Sequence, residues 1–456
     1  MKNTLKKAMR FSAVFVLMII GLICFKTLVS SLPEERIHTH VQNSIPLLEQ
    51  EKMYPQPFIS NPAERYLTAS TQFDSVTEFA LMNVAYRNNP KTPLISAMKN
   101  ASYAIMENED IQKLSDQSVE NLESTELSTY WLGASSIYSI LLFLMPLAGA
   151  RQFLLFTFSI LFLWFLYATS RKINTISAFA IAIGMFAANI WIVPFSVAFS
   201  ITFYIAFGVG LYILYSKKRY SQAMLFFVTG ILTAFFDWLS TPILTFALPA
   251  LLIVLISAKN DAEYNLKKSF CGMLGMGSGW VAGYVLTVLS KWIIGSVILQ
   301  ENLFERGFSR IGAGLNKFVD YGPQTSLGVL KGSLKVNLKA LYPISNLNSP
   351  TKTAIVLSIV FICVIIMIVF HKKADKLWLP MMILLVGLAP YVWFAAFKGH
   401  CFIHFWFTYR SQAVSVAAFF IAYSLAVDHE KFTAFHKKNK DKFHQIKINA
   451  FKKTKE

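Results

Sequence analysis

YWLGASSIYSILLFLMPL (130–147) and RQFLLFTFSILFLWFLYATS (151–170) stand almost back to back, with only Ala-Gly-Ala between them. How many times this pair crosses a membrane decides the fold. Either stretch has nearly enough apolar residues to traverse a hydrocarbon core of about 30 Å, which takes about 20 residues. If both cross, Arg171 and Lys172 fall outside, and every later basic cluster follows them. If only the second crosses, Arg171–Lys172, Lys217–Arg219, Lys267–Lys268, Lys372–Lys373 and the basic tail all fall inside, where Lys and Arg are enriched. The second solution is the economical one. Tyr130, Trp131 and Tyr138, rings that favour the interface, then place 130–147 in the outer interface or in a re-entrant segment.

Working outward, 55% of the 456 residues are apolar and only 15% are charged. That balance excludes a soluble domain and points to an all-α, polytopic membrane protein, because helices satisfy their own backbone in lipid. Counting runs from the fixed point gives about ten transmembrane helices with both termini cytoplasmic. Residues 1–32 are a cytoplasmic N-terminus and first helix. The weak small-residue pattern after Lys26 favours an uncleaved helix over a signal peptide. Residues 33–150 form a large helical extracytoplasmic loop with interfacial helices. Residues 151–290 are a bundle of crossing helices, 291–352 a second outer loop, 353–427 the C-terminal crossing helices, and 428–456 a basic cytoplasmic tail. No internal repeat is visible, which weighs against a transporter built from duplicated halves.

The formal net charge of +18 collects in short juxtamembrane clusters and the tail. That is the signature of topology and of anionic lipid, not of nucleic acid. The four cysteines form no CxxC pair and no disulfide framework.

Ionisable residues near membrane segments are costly and mark function or a paired structural role. On this topology they converge on the outer face. Asp74 and Glu78 share one helix face in the first loop. Asp237 ends a helix in TAFFDWLSTP, where it either caps the next helix or serves a site. Lys291 sits at the outer end of another helix, where snorkelling to headgroups is the ordinary fate. His400 and His404 stand four apart in KGHCFIHFWFTYR (398–410). Arg410 lies deeper among rings and needs a carboxylate such as Asp237, a phosphate or a water-filled cavity. The histidine spacing admits one divalent metal if the turn is helical. Hydrogen bonding to a phosphate or sugar, or a plain interfacial pair, fits it better. Lys331, Lys335 and Lys339 repeat every four residues above an apolar side, as in an amphipathic helix on the outer leaflet. Arg306 and Arg310 repeat that spacing nearby.

This layout resembles the GT-C type of membrane glycosyltransferase: a first helix, a large extracytoplasmic loop carrying an acidic residue, many further spans and a second outer loop. YWLGASSIYSILLFLMP, FFDWLSTP and HCFIHFWFTYR also resemble a family of Gram-positive bacterial membrane proteins. The resemblance implies a multi-pass protein of the bacterial plasma membrane. It would move a sugar from a polyprenyl-phosphate-linked donor to a glycan or glycopolymer acceptor of the cell envelope. Asp74, with Glu78 one turn on, would be catalytic. Arg410, His400, His404, Lys291, Asp237, Trp131, Lys331, Lys335 and Lys339 would bind substrate or lipid. Many GT-C enzymes carry a tandem acidic pair, which is missing here, so a divalent metal is optional. The alternatives are a transporter or flippase of a lipid-linked saccharide, and a non-catalytic envelope-assembly protein.

Overall fold

The computed structural model describes residues 2–51, 65–71, 75–103, 124–216, 221–316, 325–346, 350–373 and 377–437. The first helix, α1 (Lys2–Ser30), is followed by the short helices α2 (Glu34–Gln42), α3 (Ile45–Glu51), α4 (Arg65–Thr71), α5 (Ser75–Tyr86) and α6 (Pro93–Lys99). Next come strands β1 (Ala101–Tyr103) and β2 (Ser124–Glu126), then α7 (Gly133–Leu144), α8 (Leu147–Lys172) and α9 (Thr175–Ala187). The central helices are α10 (Val197–Tyr215), α11 (Gln222–Phe236), α12 (Leu244–Asn260) and α13 (Leu266–Leu299). The chain continues through α14 (Leu303–Asn316), α15 (Ser326–Ala340), α16 (Pro350–Val369), α17 (Trp378–Gly387) and α18 (Ala389–Ala396). It closes with α19 (Lys398–Ile403), α20 (Phe405–Thr408) and α21 (Ala413–Ala426).

Among the described residues, five segments are long and apolar enough to cross a membrane: Leu5–Ser30, Leu147–Lys172, Val197–Tyr215, Leu266–Leu299 and Trp378–Ala396. The last is broken at Leu388, where Pro390 opens α18. Other apolar helices are shorter. α9, α11 and α12 have 13, 15 and 17 residues, which at 1.5 Å per residue gives about 20–26 Å. Irregular backbone extends α9: Ala188–Ser196 is non-α and largely buried. Such backbone is tolerated at depth where protein covers it.

The stretch that sets the topology resolves into two unlike helices. α7 has 12 residues, about 18 Å, and is buried along most of its length. It packs on α1, α2 and α5. α8 has 26 residues and exposes Phe153, Phe156, Leu163 and Trp164 on its flank. Short β1 and β2 pair antiparallel, Ser102 opposite Thr125, inside a loop expected to be helical. Asn83 holds this hairpin, donating to the Tyr103 carbonyl (3.0 Å) and accepting from the Tyr103 N–H (3.1 Å).

One tight seam of the bundle joins α11 to α13. A Cβ on Gly283 would lie 2.1 Å from the Phe227 carbonyl oxygen, and one on Gly279 2.4 Å from that of Ala223. Only glycine allows backbones so close, as is common between helices in lipid.

The last expected crossing, 402–427, is not one helix. α19 ends at His404, α20 is a single turn, and a 3-10 turn, Tyr409–Gln412, precedes α21. Arg410 therefore sits in that tight turn and not in the outer half of the last helix.

Candidate functional site

A groove of ≈ 590 Å³ runs along α13 between Gly277 and Trp292, about 22 Å of helix. Residues of α18, of α14 and of the connection after α11 complete its lining. Val281, Val285, Phe308 and Val392 line it while remaining exposed, so it opens on the outside of the bundle. Gly307 lets α14 approach the Trp292 ring, 2.4 Å from where a Cβ would stand. Two indole hydrogen bonds pin the 129–131 segment to α13. Trp292 Nε1 donates to the Thr129 carbonyl (3.0 Å), and Trp131 Nε1 to that of Thr287 (2.8 Å).

Rings crowd the groove. Trp280 stacks on Tyr284 with centroids 5.1 Å apart, and Trp393 on Phe397 at 4.2 Å; Trp393 also meets Tyr284 edge-on at 6.2 Å. The i, i+4 spacing within each pair sets one ring above the other on its helix face.

Asp237 lies among them, only 7% exposed. Its Oδ1 accepts from the Ser240 N–H (3.1 Å) and from the Ser240 hydroxyl. The carboxylate thus caps the turn that leads into α12, as its position before Ser-Thr-Pro suggests. Its Oδ2 is buried and has no hydrogen-bond partner among the described residues. Burial pushes this carboxyl up to about 7, against the pull of the Ser240 hydroxyl and the neighbouring N–H groups. Trp393 Nε1 is a second buried polar atom in the groove without a partner among the described residues. At the rim, Arg310 lies over the Tyr130 ring (5.3 Å) and donates to the Glu126 carbonyl (3.4 Å). No carboxylate among the described residues lies within ion-pair distance of it.

His400 supports this site from behind. Its Nε2 is 2.9 Å from the Leu239 carbonyl oxygen. A carbonyl only accepts, so Nε2 carries the proton. Burial and the adjacent His404 push the imidazole down to about 3, so it is neutral. The two histidine rings are 4.7 Å apart. Among the described residues no three His, Cys, Asp or Glu side chains converge to hold a metal ion, so the pair gains no third ligand there.

The other expected site residues lie elsewhere. Arg410 does not pair with Asp237. It is buried, donates to the carbonyls of Trp406 (2.9 Å) and Ser70 (3.2 Å), and lies over the Phe199 ring (4.6 Å). The same Ser70 carbonyl accepts from the Tyr409 hydroxyl (3.0 Å). Arg410 and Tyr409 thus dock α4 of the first loop onto the turn before α21.

Lys291 does not snorkel. It is fully buried, donates to the Met98 carbonyl (2.7 Å) near the C-terminus of α6, and lies 5.1 Å from the Trp131 ring centre. A cation suits the negative end of a helix. Lys26 does similar work, reaching the Leu132 carbonyl and the Ser135 hydroxyl, each at 3.3 Å.

Lys331, Lys335 and Lys339 are exposed on α15, as their spacing predicts. The opposite face does not lie free on a leaflet, because Asn337 bonds the Cys401 carbonyl (2.8 Å) and accepts from Thr408 (2.7 Å).

Of the two acids expected to be catalytic, Asp74 lies outside the described residues. Glu78 is buried in an ion cluster. Its Oε1 accepts from the Tyr138 hydroxyl (2.5 Å) and its Oε2 from Arg151 (2.6 Å), which also grips Glu51. Burial pushes the Glu78 carboxyl up while Arg151 and Tyr138 pull it down. With both oxygens engaged, Glu78 fastens α5 to α7 and α8.

Sequence reasoning missed Tyr284, Trp393 and Arg310 as neighbours of Asp237. No local signal joins them, since α11, α13, α14 and α18 meet only in three dimensions. It also missed Arg151, although an arginine opening an otherwise apolar run is a signal that it needs a partner.

Comparison with protein-family models, with curated proteins and with solved structures finds no match for this chain.

Proposed function

We propose that this chain is a membrane glycosyltransferase of GT-C type, with about ten crossings and both termini cytoplasmic. It would use a polyprenyl-phosphate-linked sugar at the outer face of a bacterial plasma membrane and pass the sugar to an envelope glycan. The observation that carries this reading is the lateral groove, an apolar slot open on the outside of the bundle with one buried carboxylate in its lining. Its volume falls within the range of about 300–1,000 Å³ typical of ligand pockets. A polyprenyl tail suits the valine-lined, exposed side of the groove along α13. Arg310 at the rim has no carboxylate partner among the described residues and offers planar paired donors to a phosphate.

In this reading the acceptor hydroxyl loses its proton to Asp74 as the anomeric carbon leaves the donor phosphate. The new carbon–oxygen bond joins sugar to acceptor, and the phosphate departs with the lipid as a monoester held by Arg310. Glu78 contributes by holding α5 in place and not by accepting a proton. Arg410 and Lys291 are structural posts, and His400 positions the Asp237 turn.

The test is photo-crosslinking with a diazirine-bearing polyprenyl phosphate in membranes containing the protein. Label on the 277–292 peptide, competed by unmodified polyprenyl phosphate and reduced in Arg310→Gln, supports the reading. Label spread evenly over exposed helices such as α16 contradicts it.

A further inference from the structure

Asp237 Oδ2 and Trp393 Nε1 are a buried acceptor and a buried donor in one groove, each without a partner among the described residues. Leaving such groups unsatisfied costs about 1–3 kcal/mol apiece, so an occupant that meets both is favoured. A hydrocarbon tail meets neither. A cation offers nothing to the indole N–H and is opposed by Arg310 at the rim. A second anion is repelled by Asp237. A neutral ring bearing several hydroxyls answers both atoms at once, because each hydroxyl donates and accepts. The rings alongside suit the same occupant, since an aromatic face is electron-rich and takes polarised C–H groups against it.

We propose that Asp237 and Trp393, between the rings of Trp280 and Tyr284, form a sugar-binding subsite that takes the saccharide of the lipid-linked substrate. Asp237 accepts a hydrogen bond from one sugar hydroxyl, and Trp393 donates one to another. The subsite rests on the reading of the groove as a polyprenyl-phosphate site and adds to it the determinant that distinguishes loaded from unloaded lipid. Asp237 and Trp393 are then specificity residues, and His400 is a positioning residue acting through Leu239.

The experiment measures equilibrium binding to the full-length protein in nanodiscs. The probes are polyprenyl phosphate and its phosphodiesters with glucose, galactose, mannose and N-acetylglucosamine. The variants are Asp237→Asn, which keeps shape while changing one polar atom, and Trp393→Phe, which keeps an aromatic ring while removing the indole N–H. The wild type is expected to bind at least one sugar-bearing lipid about tenfold more tightly than the sugar-free lipid, the equivalent of about 1.4 kcal/mol. Each variant should shrink that ratio to near one and leave sugar-free binding unchanged. A ratio that survives both substitutions overturns the subsite. So does a wild type that binds all five lipids equally, an outcome that leaves the lipid-phosphate reading standing. If the wild type binds none of them, the lipid-phosphate reading fails. The subsite is then judged on dodecyl glycosides of the same sugars against dodecanol, and equal binding overturns it. If Asp237→Asn does not fold, Trp393→Phe decides alone.

Discussion

His400 donates its Nε2–H to the carbonyl oxygen of Leu239 across 2.9 Å, and Leu239 is held at φ +60°. A leucine in the left-handed region costs about 1–2 kcal/mol, so something must hold it there. The bond ties α19, in KGHCFIH, to the turn that carries Asp237. His400→Ala should lower stability by roughly the cost of an unsatisfied buried carbonyl, about 1–3 kcal/mol. Adding Leu239→Gly should recover part of that loss by removing the strain. Thermal unfolding in detergent reads both. A double variant no more stable than His400→Ala would mean the histidine does not hold the turn.

The Asp237 carboxyl, raised to about 7 from its usual 3.8, predicts a pH effect of definite sign. Between about pH 4 and 7 the native protein keeps a proton that the unfolded chain releases. Stability from this group is therefore full below about pH 4, falls as pH rises to about 7, and is level beyond. Infrared spectroscopy should show a protonated carboxyl band that titrates near pH 7 and is missing in Asp237→Asn. A band identical in both proteins would assign the proton elsewhere.

The Glu51–Arg151–Glu78 cluster should behave as a buried ion network. Arg151→Ala leaves the buried Glu78 and the half-buried Glu51 without their arginine partner and should cost about 3–5 kcal/mol. Glu78→Gln keeps a hydrogen-bonding oxygen and should cost less. Unfolding midpoints and expression levels check the order. If Glu78→Gln instead unfolds the protein as severely as Arg151→Ala, the arginine is not the centre of the network.

Lys331, Lys335 and Lys339 project from the exposed face of α15. Each basic residue near an anionic surface contributes about 1 kcal/mol, so replacing all three by Gln should weaken polyprenyl phosphate binding by up to about a hundredfold. The loss should shrink as salt is raised. Affinity that does not change at low salt would leave these lysines as ordinary surface charge.

The apolar runs and the spacing of basic clusters made a helical membrane protein legible, because both follow from the cost of polar groups in lipid. The α15 lysine stripe was legible for the same reason as any i, i+4 face. Breaks in the pattern were not. The irregular turn at Ala188–Ser196 and the 3-10 turn at Arg410 lie in apolar or aromatic sequence that reads as continuous helix. They exist because Asn189, Tyr409 and Arg410 bond the Ser70 carbonyl, a partner more than a hundred residues away. Buried Lys291 read as an interface residue for the same cause: its acceptor, Met98, belongs to a distant helix. The groove is a meeting of four helices, so Asp237 was visible as a costly residue but its ring neighbours were not.

The central claim is that a sugar leaves its polyprenyl phosphate here. The direct measurement follows radiolabelled sugar from that lipid to an envelope acceptor fraction, using purified full-length protein in nanodiscs. Transfer by the wild type is expected, with loss of transfer in Asp74→Asn and retained lipid binding in the same variant. Label that stays on the lipid in the presence of folded wild-type protein, or normal transfer by Asp74→Asn, would contradict the account.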